Sequence, residues 1–229
     1  MSSEEAMPYD GVRSIAVLGV GRVGSAVART AVSAGYEVRV AGSGAAEDIA
    51  LLAEIVIPGA RAMTAADAVR DADLVVVAVP LGKFRTVDAA SLDGKIVIDA
   101  MNYWPPVDGV IADFADSGVS STEVVRGHLA GARLVRTLNH IGYHDLEDHA
   151  APAGTPGRRA LAVASDDDDA AAVVLPVIDR FGFDAVRSGP LATGRAFEPG
   201  TRIFSGAFST DQLRHELALH LDSTLERQN

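Results

Sequence analysis

The chain of 229 residues has no cysteine. Disulfides, thiolate nucleophiles and cysteine-ligated zinc or iron–sulfur centres are therefore excluded. Positive charge is scarce: 20 Lys and Arg stand against 31 Asp and Glu, a formal net charge of -11. Such a surface repels nucleic acid and anionic membranes, although a basic pocket for a phosphorylated ligand remains compatible with it. No apolar run approaches the roughly 18 residues of a membrane span. Residues 1–11 are polar and acidic and lack the apolar core of a secretory signal. The expectation is a soluble, cytoplasmic protein with neither nucleic acid nor membrane as partner. Aromatics are few, at 5%, but hydrophobic residues reach 48% and glycines number 22, so a sizeable core of small side chains can form. The length suits one large domain, or one domain with a small appendage.

Short apolar runs alternate with helical patterns. Strands are predicted at 13–18, 36–40, 60–62, 74–79, 96–99, 134–138, 160–164 and 183–186. The run at 74–79 is apolar throughout, as a strand buried on both faces requires. Helices are predicted at 22–34, at 45–56 with Ser43 or a neighbour as cap, from Thr64 to about 69, from Ser120–Ser121 through 125, and at 170–181, 191–197 and 210–226. Residues 102–110 read as a loop, and 150–159 as a Gly/Pro-rich loop near a boundary. The four acids Asp166–Asp169 precede an apolar helix and read as its cap, facing its positive end. The alternation predicts an α/β fold with a doubly wound, mostly parallel Rossmann sheet. The expected division is a nucleotide domain over 12–150 and a small C-terminal α/β module over 151–229.

Gly19-Val20-Gly21-Arg22-Val23-Gly24 follows the first strand and opens the first helix. That context gives the pattern its meaning. Gly19 permits the tight turn, Gly21 leaves room for a pyrophosphate at the helix N-terminus, and Gly24 lets helix and sheet approach. An NAD site usually ends its second strand in an acid that holds the ribose 2′-hydroxyl. Here that end reads Val40-Ala41-Gly42-Ser43-Gly44, without an acid. The reading is therefore NADP(H), with Ser43 donating to the 2′-phosphate and Arg22 supplying charge from the other side. The nicotinamide end belongs at the carboxyl ends of later strands: Ala78, Val79, Pro80 and Leu81, then Asn102, then Asn139 and His140. Asn102 and Asn139 read equally as turn residues or as pocket groups. His140 reads as a hydrogen-bond donor to the acceptor, with Asn139 beside it as the second candidate catalytic residue. His140 and His144, with Asp145, Glu147 and Asp148 nearby, match no zinc spacing, so no metal is expected. The only lysines, Lys83 and Lys95, stand in no short-chain dehydrogenase motif.

The chain resembles the coenzyme F420-dependent NADP reductase family, with a Rossmann domain similar to the N-terminal catalytic domain of pyrroline-5-carboxylate reductase. The stretches that carry the resemblance are IAVLGVGRVGSAVA at 15–28, VRVAGSG at 38–44, VVVAVP at 75–80 and VIDAMNYW at 97–104. RTLNHIGYHDLEDHA at 136–150 and GFDAVRSGPLATGRAFEP at 182–199 complete them. The resemblance implies hydride transfer between NADP(H) and coenzyme F420, stacked against the nicotinamide in a cleft that the C-terminal module closes, and a homodimer. It gives Gly19, Gly21 and Gly24 to the pyrophosphate, Ser43 to the 2′-phosphate, and Val79 and Pro80 to the nicotinamide side. Gly44 departs from the family's usual arginine, and Tyr103-Trp104-Pro105-Pro106 replaces a plain Asn-Pro turn. A reductase of a flavin or small carbonyl, and a non-catalytic NADP-binding regulator, remain as alternatives.

Overall fold

The computed structural model describes residues 11–114 and 119–227. The acidic segment 1–10, and with it the reading of that stretch as free of a signal sequence, lies outside the described residues. Eight strands form one sheet: β1 (Ser14–Leu18), β2 (Glu37–Ala41), β3 (Arg61–Ala62), β4 (Leu74–Val77), β5 (Ile96–Asp99), β6 (Arg133–Arg136), β7 (Ala160–Ala164) and β8 (Asp184–Gly189). Their order is β3-β2-β1-β4-β5-β6-β7-β8. The first six run parallel. β7 enters antiparallel to β6, and β8 pairs parallel with β7.

The helices are α1 (Arg22–Ser33), α2 (Glu47–Val56), α3 (Ala65–Arg70), α4 (Pro105–Asp108), α5 (Ser121–His128), α6 (Asp145–Asp148), α7 (Asp168–Arg180), α8 (Arg202–Ser205) and α9 (Thr210–Arg227). Strand side chains alternate between faces, and both faces are covered. Ile15 and Val17 join Ala28 of α1 and Val174 of α7 in one cluster, whereas Ala16 and Leu18 join Val69 of α3 and Val125 of α5 in the other. All five residues of β1 are buried. The doubly wound fold expected from the alternation is the one observed. Residues beyond 150 add β7 and β8 to the same sheet, with a third cluster in which Phe197 and Ile203 pack against Leu213 and Leu217 of α9.

Several local expectations change. Ser43 does not cap α2; the helix starts after Ala46 with no side-chain cap, and Asp48 Oδ2 accepts the Ala45 N–H at 3.0 Å. β4 ends at Val77, and β6 ends at Arg136 because Leu138 adopts a φ of 63° and turns the chain out of the ladder. The 102–110 loop contains α4, whose first turn is Pro105-Pro106, rings preset for helical φ. Residues 191–197 form a 3-10 turn instead of an α-helix. Among the described residues no helix is long and apolar enough to cross a membrane.

Candidate active site

The carboxyl ends of β1, β4, β5 and β6 share one edge, and the glycine loop lies there. Gly19 has a φ of 109°, a left-handed conformation suited to glycine. Its N–H donates to the Ala41 carbonyl at 2.8 Å, tying β1 to β2. A Cβ on Gly19 would lie 2.6 Å from the Ala78 carbonyl oxygen, and one on Gly24 would lie 1.8 Å from the Gly19 oxygen. Both positions are closed to any side chain. Gly21 is different, since a Cβ there would meet nothing within 4 Å. It is the N-cap of α1, and no side chain caps that helix. The first-turn N–H groups thus face open space above Gly21, the arrangement that suits a pyrophosphate. Val20 and Val23 flank it, half-buried against the core.

The other expected cofactor residues divide. Ser43 and Gly44 are exposed on the loop after β2. Arg22 turns away from that loop, with its guanidinium 5.8 Å from the ring centroid of Tyr143, so it does not supply charge beside Ser43. Ala78 packs under Gly19 through its carbonyl. Val79 is half-buried, Pro80 starts a 3-10 turn over Leu81–Thr86, and Leu81 is buried in the core rather than facing a ligand.

A cavity of about 430 Å³ opens beside the loop, lined by Val23, Asn102, Ile141, Tyr143, Arg159 and Phe204 among others. Asn102 and Asn139 bind each other across the ends of β5 and β6. Asn102 Nδ2 donates to the Asn139 carbonyl at 2.6 Å, and Asn139 Nδ2 donates to Asn102 Oδ1 at 3.2 Å and to the Phe197 carbonyl at 2.9 Å. Beneath them Arg136 is fully buried and pairs with Asp99 at 3.0 Å while donating to the Met101 carbonyl at 2.6 Å. The network makes both asparagines rigid.

His140 does not carry the role its sequence position suggested. Its Nε2 accepts the Ala162 N–H at 2.9 Å, so Nδ1 holds the proton and donates it to Asn139 Oδ1 at 3.2 Å. Both nitrogens are spent inside the protein, and no N–H remains for an acceptor. The ring supplies β7 with the acceptor that β6 withdraws when Leu138 turns. Burial, reinforced by the positive charges of Arg159 and Arg136, lowers the His140 pKa to about 3. Asn139 lines the cavity, but its side-chain amide is likewise committed to the fold.

The neighbouring acids and histidines also find separate partners. Glu147 takes a bidentate pair from Arg29 at 2.7 Å, which lowers its pKa. His144 packs against Tyr143 with ring centroids 4.1 Å apart. Among the described residues no three His, Cys, Asp or Glu side chains gather as a metal site. Sequence reasoning missed Arg159. Its side chain is 9% exposed, and Nη1 donates to Asp145 Oδ2 and His149 Nδ1, each at 2.9 Å. Nη2 reaches the Gly206 carbonyl at 3.2 Å, binding the cavity's polar wall to the segment after α8. The available signal was the pair Arg158-Arg159 just ahead of an apolar strand. Arg158 is committed to Asp179, Asp184 and the carbonyls of Ala151 and Gly182, so the two neighbours point to different tasks. Phe204, which lines the cavity, stacks on Trp104 with ring centroids 6.0 Å apart. The walls can thus hold a flat molecule between apolar surfaces with a polar cluster at one end.

The family model described as NADP oxidoreductase, coenzyme F420-dependent, matches residues 14–103, which include the glycine loop, the loop after β2 and Asn102. A hypothetical protein of Sinorhizobium meliloti has a similar solved structure, with a TM-score of 0.75 and 27% identity over 89% of this chain and 98% of its own. A candidate F420-dependent NADP-reductase of Arthrobacter sp. FB24 gives a TM-score of 0.65 and 26% identity, covering 79% of this chain and 86% of its own. The imine reductase of Myxococcus stipitatus, solved with NADP+, shares the fold at 19% identity and a TM-score of 0.55, covering 94% of this chain and 63% of its own. No curated protein matches the sequence.

Proposed function

We propose that this chain, which over residues 14–103 carries the F420-dependent NADP oxidoreductase pattern, transfers hydride between NADP(H) and a planar acceptor, coenzyme F420. The coarser statement, a pyridine-nucleotide-dependent oxidoreductase, is supported together by the family match, the neighbours and the open glycine loop. One observation carries the reading furthest: Val23 belongs both to the glycine loop and to the cavity wall. A nucleotide with its pyrophosphate over Gly21 runs its nicotinamide end toward that cavity.

The nicotinamide ring supplies or takes up the hydride, and the protein's work is placement. Val23 and Ile141 offer an apolar floor that excludes water. Asn102, locked to Asn139, keeps the β5 and β6 ends at a fixed separation. Arg159, Asp145 and His149 offer polar atoms at the other end, where a ring carbonyl or nitrogen can be held. Reaction needs the two rings within about 3–3.5 Å, so fixed walls matter more than acid–base groups. A second reading, reduction of a flavin or small carbonyl, draws on the stack of Trp104 against the cavity-lining Phe204.

The test is a spectral screen of NADPH with F420, FMN and small carbonyl compounds, followed at the nicotinamide and deazaflavin bands. NADPH-dependent reduction of F420 is the expected result. Turnover of FMN or a carbonyl alone moves the assignment to the second reading. Nucleotide binding without reduction of any acceptor would leave a regulatory module.

A further inference from the structure

The loop after β2 holds a negative charge that does not come from the strand itself. β2 ends at Ala41 without the usual acid, and residues 43 and 44 are a serine and a glycine. The helix that follows returns one. A Cβ on Gly44 would lie 2.4 Å from Asp48 Oδ2, so this carboxylate fills the space into which a side chain at 44 would project. The Ala45 N–H, 3.0 Å from the same oxygen, fastens it over the loop. Among the described residues Asp48 has no ion pair, and Arg22 leans the other way, toward Tyr143.

The loop after the second strand is where a dinucleotide fold reads the adenosine ribose, an acid favouring the 2′-hydroxyl and a cation the 2′-phosphate. We infer that Asp48 performs the task of the missing strand-terminal acid. Its carboxylate accepts from the 2′-hydroxyl of NAD(H) and repels the 2′-phosphate, so it offsets Ser43 and the site takes NADH and NADPH with comparable affinity. This inference rests on the nucleotide site of the proposed function. It assigns the choice between the two nucleotides to one residue of α2.

Titration of the protein with NADH and NADPH by fluorescence tests it without any acceptor. The wild type is expected to bind the two within about threefold of each other. Asp48→Asn keeps an oxygen for the Ala45 N–H and removes only the charge. It is expected to shift the ratio of dissociation constants about tenfold toward NADPH, the size of a single like-charge repulsion near a surface. Adding Gly44→Arg to Asp48→Asn extends the shift, since a cation then faces the 2′-phosphate. A wild type already selective for NADPH by about tenfold or more, or an unmoved ratio in Asp48→Asn with the circular dichroism unchanged, overturns the assignment to Asp48 and leaves the nucleotide site standing. If the wild type binds neither nucleotide, both the inference and the proposed function fall.

Discussion

Both nitrogens of His140 serve the fold, and pH exposes that commitment. With its folded pKa at about 3, far below the ordinary imidazole value of 6.5, the ring stays neutral in the native protein. The unfolded chain binds a proton there as pH falls below that value, and the native state does not. The unfolded state therefore gains, and stability present above about pH 6.5 is lost progressively toward pH 3. Urea unfolding between pH 4 and 6.5 is expected to show the wild type losing stability more steeply than His140→Gln, by up to about 1.4 kcal/mol per pH unit. Parallel slopes would show that the ring is hydrated in solution. The glycine loop was legible in the sequence because its residues answer backbone constraints: Gly19 and Gly24 have no room for a Cβ, and Gly21 leaves room for a ligand. The role of His140 was not legible, because it depends on which way one imidazole faces after Leu138 turns the chain. Arg159 was hidden for a similar reason, since its task is defined by Asp145 and His149, residues of another element.

The start of α7 shows how unequal four adjacent acids become once folded. Asp167 alone is the cap: its Oδ1 accepts the Ala170 N–H at 2.8 Å, and both oxygens take the Arg133 guanidinium from the start of β6. Chiefly through the Arg133 hydrogen bond, its pKa falls to about 2. Asp166 instead pairs with Arg126 of α5 and accepts the Leu191 N–H, and Asp168 meets Arg187 at 2.9 Å. Asp167→Ala is expected to cost about 1 kcal/mol or more, the usual value of a lost cap, whereas Asp169→Ala stays within about 0.5 kcal/mol. Equal losses from the two in denaturant titrations would mean that only summed charge matters. The order of strands and long helices was readable because continuous apolar runs and helical periods are properties of sequence alone. The four-residue helices α4, α6 and α8 span barely one turn each and carry no period to read. The Ser43 cap failed because Asp48, the second residue of α2, satisfies the backbone there instead. The helix expected over 170–181 runs unbroken through Pro176, as α7 does.

At the scale of the molecule, assembly is the open expectation. Leu51 and Ile55, one turn apart on α2, are 67% and 69% exposed, and Leu219 and Leu221 of α9 are 47% and 45% exposed. Apolar side chains so displayed favour contact with another chain over water. We expect a homodimer in sedimentation equilibrium at micromolar concentration; a monomer there rejects it. One feature of the sheet reaches further. Because β7 runs against the six strands before it, its beginning rather than its end lies at the ligand edge, and this is how Arg159 arrives at the cavity. The glycine loop and the two asparagines come just after strands, whereas Arg159 comes just before one. The exposed stretch 152–157 can therefore lengthen, shorten or change composition without disturbing the glycine loop or the parallel ladder. Such a chain divides inheritance from novelty: the glycine loop and its ladder stay fixed, while one exposed connection beside the cavity is free to vary.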